Sequence, residues 1–282
     1  MFKSLLILLA LIPSVSHAQT NTIRFSKDTN LRIVKEWSES LQKTSNISST
    51  TYIVNKYDGR DNLHKNKHRS VIIWIPETTD LKKQFTLLVW FHGHSGYVPH
   101  RTFEDRTLKQ LMPHTKNKNF VLVLPEMPWS VHTKTPTKRN SLLWMKEGSF
   151  LKFIHQVQTI LSEHNNKQRL GKIDYRIVGH SAGGSTIKRL SITKDLCKLN
   201  PSVIVWSDSS YGNWLEKAWN SCLKNTNIKI KVFVKKPGSP YSRAKAFLAK
   251  IKSNKNITLY IKKKGWSHKK IGNRIVELSN IL

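Results

Sequence analysis

The stretch GHSAGGS, Gly179 to Ser185, sets one serine among small residues, directly after the apolar run YRIV and before TIKRLSI, which is compatible with a helix. A serine hydroxyl is a poor nucleophile until a neighbouring base takes its proton. The residues Gly179-His180-Ser181-Ala182-Gly183 fit G-x-S-x-G, in which a sharp strand-to-helix turn exposes the hydroxyl. Small residues on both sides of Ser181 suit such a turn, because the serine is forced into an unfavourable backbone conformation. An ordinary glycine-rich loop is the alternative reading, and the flanking strand and helix signals weigh against it.

A second glycine-bearing stretch, FHGHSG from Phe91 to Gly96, follows the apolar run TLLVW. It resembles the H-G-x-x-G oxyanion loop that follows the third strand of many lipases and esterases. Glycines there let backbone N–H groups reach a developing oxyanion, with Gly93 or His94 as the upstream donor and Ala182 as the downstream one. His92 and His94 also form an H-x-H pair, but no third ligand stands at a telling spacing, so no metal site is expected.

With these two motifs the chain resembles the α/β-hydrolases over roughly residues 50 to 282. The resemblance implies an α/β-hydrolase fold, with a mostly parallel eight-stranded sheet and helices on both faces. It also implies a chain order of nucleophile, acid and histidine. Beyond His180 the chain has one further histidine, His268, in KKKGWSHKKIG after the last apolar run. Between Ser181 and His268 the carboxylates are Asp195, Asp208 and Glu216. Asp195 falls in or just after the helix following Ser181, and Glu216 lies inside a predicted helix, which leaves Asp208. It sits in VIVWSDSSYG, just beyond the sixth apolar run. The commoner family position for the acid follows the seventh run, where KKPGSPYS carries no carboxylate. A turn or helix N-cap is the other role open to Asp208.

The chemistry implied is acyl transfer. His268 takes the Ser181 proton, Asp208 fixes the imidazole tautomer, and water hydrolyses the acyl-enzyme, with neither metal nor organic cofactor required. The simplest substrate is a carboxylic ester, in a small molecule or a polymer. An amide or peptide bond is the runner-up, and a non-catalytic polyanion-binding module on the same scaffold is the other class.

These residues need a frame. Eight short apolar runs read as strands: TYIVNKY, SVIIWIP, TLLVWF, FVLVLP, YRIVG, SVIVW, IKIKVFV and ITLYI. Several are nearly continuous in Val, Ile and Leu, as strands covered on both faces are. The first two, joined by the polar DGRDNLHKNKHR, suit an antiparallel hairpin. Helix-compatible stretches alternate with the later runs: Phe103 to Met112, Ser149 to His164, Ala182 to Lys194, Trp214 to Leu223, Ser242 to Ser253 and Lys269 to Leu282. Another helix is predicted around Leu31 to Leu41, where Leu31, Val34, Trp37 and Leu41 share a face.

Residues 1–18, MFKSLLILLALIPSVSHA, have the layout of a cleaved secretory signal, so a secreted or periplasmic protein is expected. Residues 19–50 follow as a segment of unread role, and residues 51–282 form the expected hydrolase domain. In an oxidising compartment Cys197 and Cys222 have the option of a disulfide. The formal charge is +31, from 48 Lys and Arg against 17 Asp and Glu, and the lysines are spread along the chain. Such a surface is drawn to anionic polymers or membrane surfaces, while compositional bias accounts for it equally well. No specific nucleic-acid motif is present, and oligomeric state is not legible. Trp129, Trp206, Tyr211, Trp214 and Trp266 fall in or near loops expected to rim the site, about half of them as core. The segment Glu126 to Gly148 is either a lid or an ordinary solvated loop.

Overall fold

The computed structural model describes residues 71–94, 117–125, 127, 146–251, 254–262, 265–275 and 279–282, and the backbone of 31–33 and 49–54. The strands are β1 (Leu31–Ile33), β2 (Ser49–Val54), β3 (Val71–Pro76), β4 (Phe85–Phe91), β5 (Phe120–Pro125), β6 (Ile173–His180), β7 (Val203–Ser207), β8 (Lys229–Lys235) and β9 (Ile257–Lys262). The helices are α1 (Ser149–His164), α2 (Gly183–Ile192), α3 (Asp195–Leu199), α4 (Trp214–Ser221), α5 (Ser239–Lys250) and α6 (His268–Asn273).

All the strands join one nine-stranded sheet in the order β1-β2-β3-β5-β4-β6-β7-β8-β9. Strands β4 to β9 pair in parallel. Strands β1, β2 and β3 are added through antiparallel pairings, including the expected β2–β3 hairpin. Each of the eight apolar runs is a strand, and β1 is the ninth. It lies where the sequence predicts the start of a helix. Leu31 pairs with Val54 and Ile33 with Tyr52, so β1 covers what would otherwise be the open edge of β2, and edge pairing outweighs a weak helical spacing. The rest of that predicted helix, and the one at Phe103 to Met112, lie outside the described residues.

The sheet is apolar on both faces with a period of two. Val71, Ile73, Leu87, Val89, Ile204 and Val232 point into one core with side chains of α1 to α5. Ile72, Trp74, Leu88, Trp90, Val205 and Phe233 point into the other with Ile271 and Ile275, in and just after α6. Helix α1 buries Phe150, Phe153, Ile154, Val157, Ile160 and Leu161, a stripe at helical spacing. Its first turn has no cap of its own. Instead the Asp195 carboxylate of α3 accepts the N–H groups of Gly148 at 2.6 Å and Phe150 at 2.9 Å. Cys197 of α3 and Cys222, just after α4, form a disulfide. Among the described residues no helix is long and apolar enough to cross a membrane.

The parallel register sets the site. Phe91 of β4 lies beside Gly179 of β6, and His180 of β6 lies beside Ser207 of β7. The loops after β4, β6 and β7 therefore open side by side at the carboxyl edge of the sheet.

Candidate active site

Strand β6 ends at His180 and α2 begins at Gly183, so Ser181 and Ala182 make the whole turn. Ser181 has φ 53°, in the left-handed region, a conformation that costs a non-glycine residue about 1–3 kcal/mol. Its N–H donates to the Ser207 carbonyl at 3.0 Å, which ties the turn to β7. Helix α2 leaves at so close an approach that a Cβ on Gly183 would lie 2.3 Å from the Phe91 carbonyl oxygen. One on Gly184 would lie 2.6 Å from the Ser209 carbonyl oxygen, so backbone blocks any side chain at either position.

Asp208, the residue after β7, is also left-handed, with φ 46°. Its N–H donates to the Phe233 carbonyl at 2.7 Å, and its Oδ1 accepts the Lys235 N–H at 3.2 Å. The carboxylate is buried, and its Oδ2 lies 2.6 Å from Nδ1 of His268. His268 opens α6, whose N-cap Ser267 accepts the Lys270 N–H with its side chain. The pair thus has the Nδ1–carboxylate contact that fixes a base's tautomer and leaves Nε2 for the nucleophile.

In the loop expected to hold an oxyanion, a Cβ on Gly93 would lie 2.9 Å from Cβ of Ser181, so the loop after β4 passes directly against the serine. His92 is buried, and its Nε2 accepts the Met127 N–H at 2.9 Å. That places the proton on Nδ1, which donates to the Gly93 carbonyl at 2.8 Å. His92 is thus a strut for the loop. Ala182 stands at the N-terminal end of α2, and its N–H has no hydrogen-bond acceptor among the described residues. His94 is the next loop residue after Gly93 and is exposed. No group of three metal-ligating side chains occurs among the described residues.

Each alternative carboxylate is otherwise engaged. Asp195 is fully buried as the cap of α1, while Glu216 pairs with Lys250 at 3.1 Å on the surface. The aromatic residues divide. Trp206 is core. Tyr211 packs edge-on against Trp214 at 5.6 Å and against the His268 ring at 6.4 Å. Burial holds the Tyr211 hydroxyl above the usual tyrosine range; the neighbouring Ser181 side chain pulls it down and the Asp208 charge raises it further. The Trp266 ring has Lys262 Nζ at 5.3 Å and the Arg274 guanidinium at 5.1 Å from its centroid. Trp129 and most of the Glu126 to Gly148 segment lie outside the described residues.

One neighbour was not singled out from sequence. The His180 ring packs against that of His268 at a tilt of 31°, with centroids 4.7 Å apart. Its position inside the motif, adjacent to Ser181, was the available signal.

No protein-family model matches the sequence, and no curated protein matches it. Solved structures do resemble the fold. One, of a protein designated FAE, has a TM-score of 0.53 at 12% identity, over 79% of this chain and 84% of that one. Another, the feruloyl esterase module from Clostridium thermocellum in complex with sinapinate, has a TM-score of 0.51 at 12% identity, over 79% and 84%. At that identity the likeness is one of fold.

Proposed function

From the α/β-hydrolase fold that the chain adopts, we propose that it is an esterase-like serine hydrolase with Ser181, His268 and Asp208 as its triad. The observation that carries this reading is the 2.6 Å contact between Asp208 and His268, at the sheet edge where Ser181 occupies a strained turn. His268 Nε2 takes the proton as Ser181 Oγ attacks the acyl carbon. The oxyanion forms against the Ala182 N–H and the Gly93–His94 backbone. His268 returns the proton to the leaving alcohol, and water, deprotonated by the same ring, releases the acid. An amide or peptide bond is the second bond type the same groups serve.

The substrate we assign is an ester on an anionic or envelope-associated molecule, met outside the cytoplasm. The +31 charge supports the first part. The signal-like residues 1–18 and the Cys197–Cys222 disulfide support the second. A fluorophosphonate should label the wild type covalently, and Ser181→Ala should be folded and unlabelled. Equal labelling of both would remove Ser181 as nucleophile. Tight polyanion binding with no labelling and no hydrolysis would make the chain a binding module.

A further inference from the structure

We infer that His180 is a positioning residue for His268: its ring is the platform that holds the base in line between Asp208 and Ser181. The inference rests on the triad reading above and names a part of the site that the triad does not include.

The ring of His180 touches α6 at two points one turn apart. Its face lies against the His268 ring, at 4.7 Å between centroids and 31° between planes. Its Nε2 is 3.2 Å from the His268 carbonyl oxygen, so Nε2–H is the donor there. Four residues on, a Cβ on Gly272 would come within 2.6 Å of that same Nε2 and 2.7 Å of two ring carbons. Residues at i and i+4 share a helix face, so the imidazole is seated on the face of α6 formed by His268 and Gly272, and only glycine leaves room for it. On its other side, Nδ1 lies 3.1 Å from where a Gly93 Cβ would be, against the oxyanion loop.

Besides the His180 ring, His268 meets the Tyr211 ring edge-on at 6.4 Å between centroids. Its side chain is 40% exposed, and its Nδ1 is held by Asp208. A single hydrogen bond at Nδ1 leaves the ring free to swing about that contact, and the His180 ring, closer than Tyr211, restricts the swing.

The test combines one spectroscopic and one chemical readout. The low-field NMR resonance of the His268 Nδ1 proton, assigned by its absence in His268→Ala, reports the ring's alignment on Asp208 whether or not a substrate is known. The rate of fluorophosphonate labelling reports alignment on Ser181. His180→Leu should broaden or lose the resonance and slow labelling about 10–100-fold, the range expected for a displaced catalytic group. His180→Phe, which keeps an aromatic face, should restore the resonance and bring labelling to within roughly threefold of wild type, while Gly272→Ala should mimic the leucine variant. A folded His180→Leu protein with a wild-type resonance overturns the inference, as does equal loss in the leucine and phenylalanine variants. If wild type is never labelled, the triad reading fails, and the resonance alone still decides the role of His180.

Discussion

Three carboxylates stand between Ser181 and His268, and their surroundings give them three different duties. Asp208 is buried with its Oδ2 on His268, so Asp208→Asn should leave the fold intact and lower kcat by about 10⁴, the effect of a wrong tautomer. Asp195 is buried on two N–H donors at the start of α1. Asp195→Asn should keep kcat per labelled site yet lose roughly 1–3 kcal/mol of stability, because one of two charged bonds becomes a mismatched donor. Glu216→Gln breaks a surface pair with Lys250 and should change stability by about 1 kcal/mol or less. Kinetics normalised to active-site titre and urea unfolding on all three variants separate the duties; full activity in Asp208→Asn would reassign the acid. The Asp208–His268 pairing was legible once the chain order implied by the α/β-hydrolase resemblance was applied, since the chain offers so few candidates after Ser181. His180 was not, because its partners His268 and Gly272 are nearly a hundred residues away and meet it only across β6 and α6.

At the scale of elements, the strands were legible because both faces of the sheet are covered. Runs such as VIIWIP and FVLVLP are buried at every position, and continuous apolar runs of that length have few other homes. Strand β1 was illegible for the opposite reason: three residues, Leu31–Ile33, take their conformation from the open edge of β2 rather than from their own pattern. Contacts between elements are similarly hidden from local pattern, and two carry predictions. Gly183→Ala places a methyl 2.3 Å from the Phe91 carbonyl, so β4 and α2 must part at the elbow. The variant should lose about 1–3 kcal/mol by overpacking, seen as a lower Tm, together with slower fluorophosphonate labelling. The Cys197–Cys222 bond spans 25 residues and ties α3, which caps α1, to the end of α4. Loop-closure entropy puts its worth at roughly 3.5 kcal/mol. Replacing both cysteines by serine should lower the unfolding free energy by that amount, read as a fall in the urea midpoint equal to the loss divided by m, with activity retained below the transition; an unchanged midpoint would mean that packing alone holds α3 against α4.

At the scale of the whole molecule, charge is the dominant fact. A surplus of 31 positive charges repels itself and opposes the compact state, so it does not serve folding; recruitment of an anionic partner and compositional bias are the two explanations to be separated. Part of it stands at the site: Lys269, Lys270 and Arg274 are exposed on or beside the helix that carries His268. Yet the proposed triad chemistry needs no net positive charge, because in it the proton moves between Ser181 and His268 and the oxyanion meets backbone donors. The two functions should therefore separate in salt. Exposed charges are screened over a Debye length of about 10 Å at 0.1 M and about 3 Å at 1 M. Hydrolysis of a neutral short-chain ester should change little across that range, whereas kcat/KM on an anionic polymer or on anionic vesicles should fall steeply as encounter loses its steering. Ser181→Ala should bind the same polymer with the same salt sensitivity, since the proposed nucleophile takes no part in recruitment. If neither protein binds any polyanion at low ionic strength, the charge is a bias of composition, and the assignment of an anionic substrate falls while the triad stands.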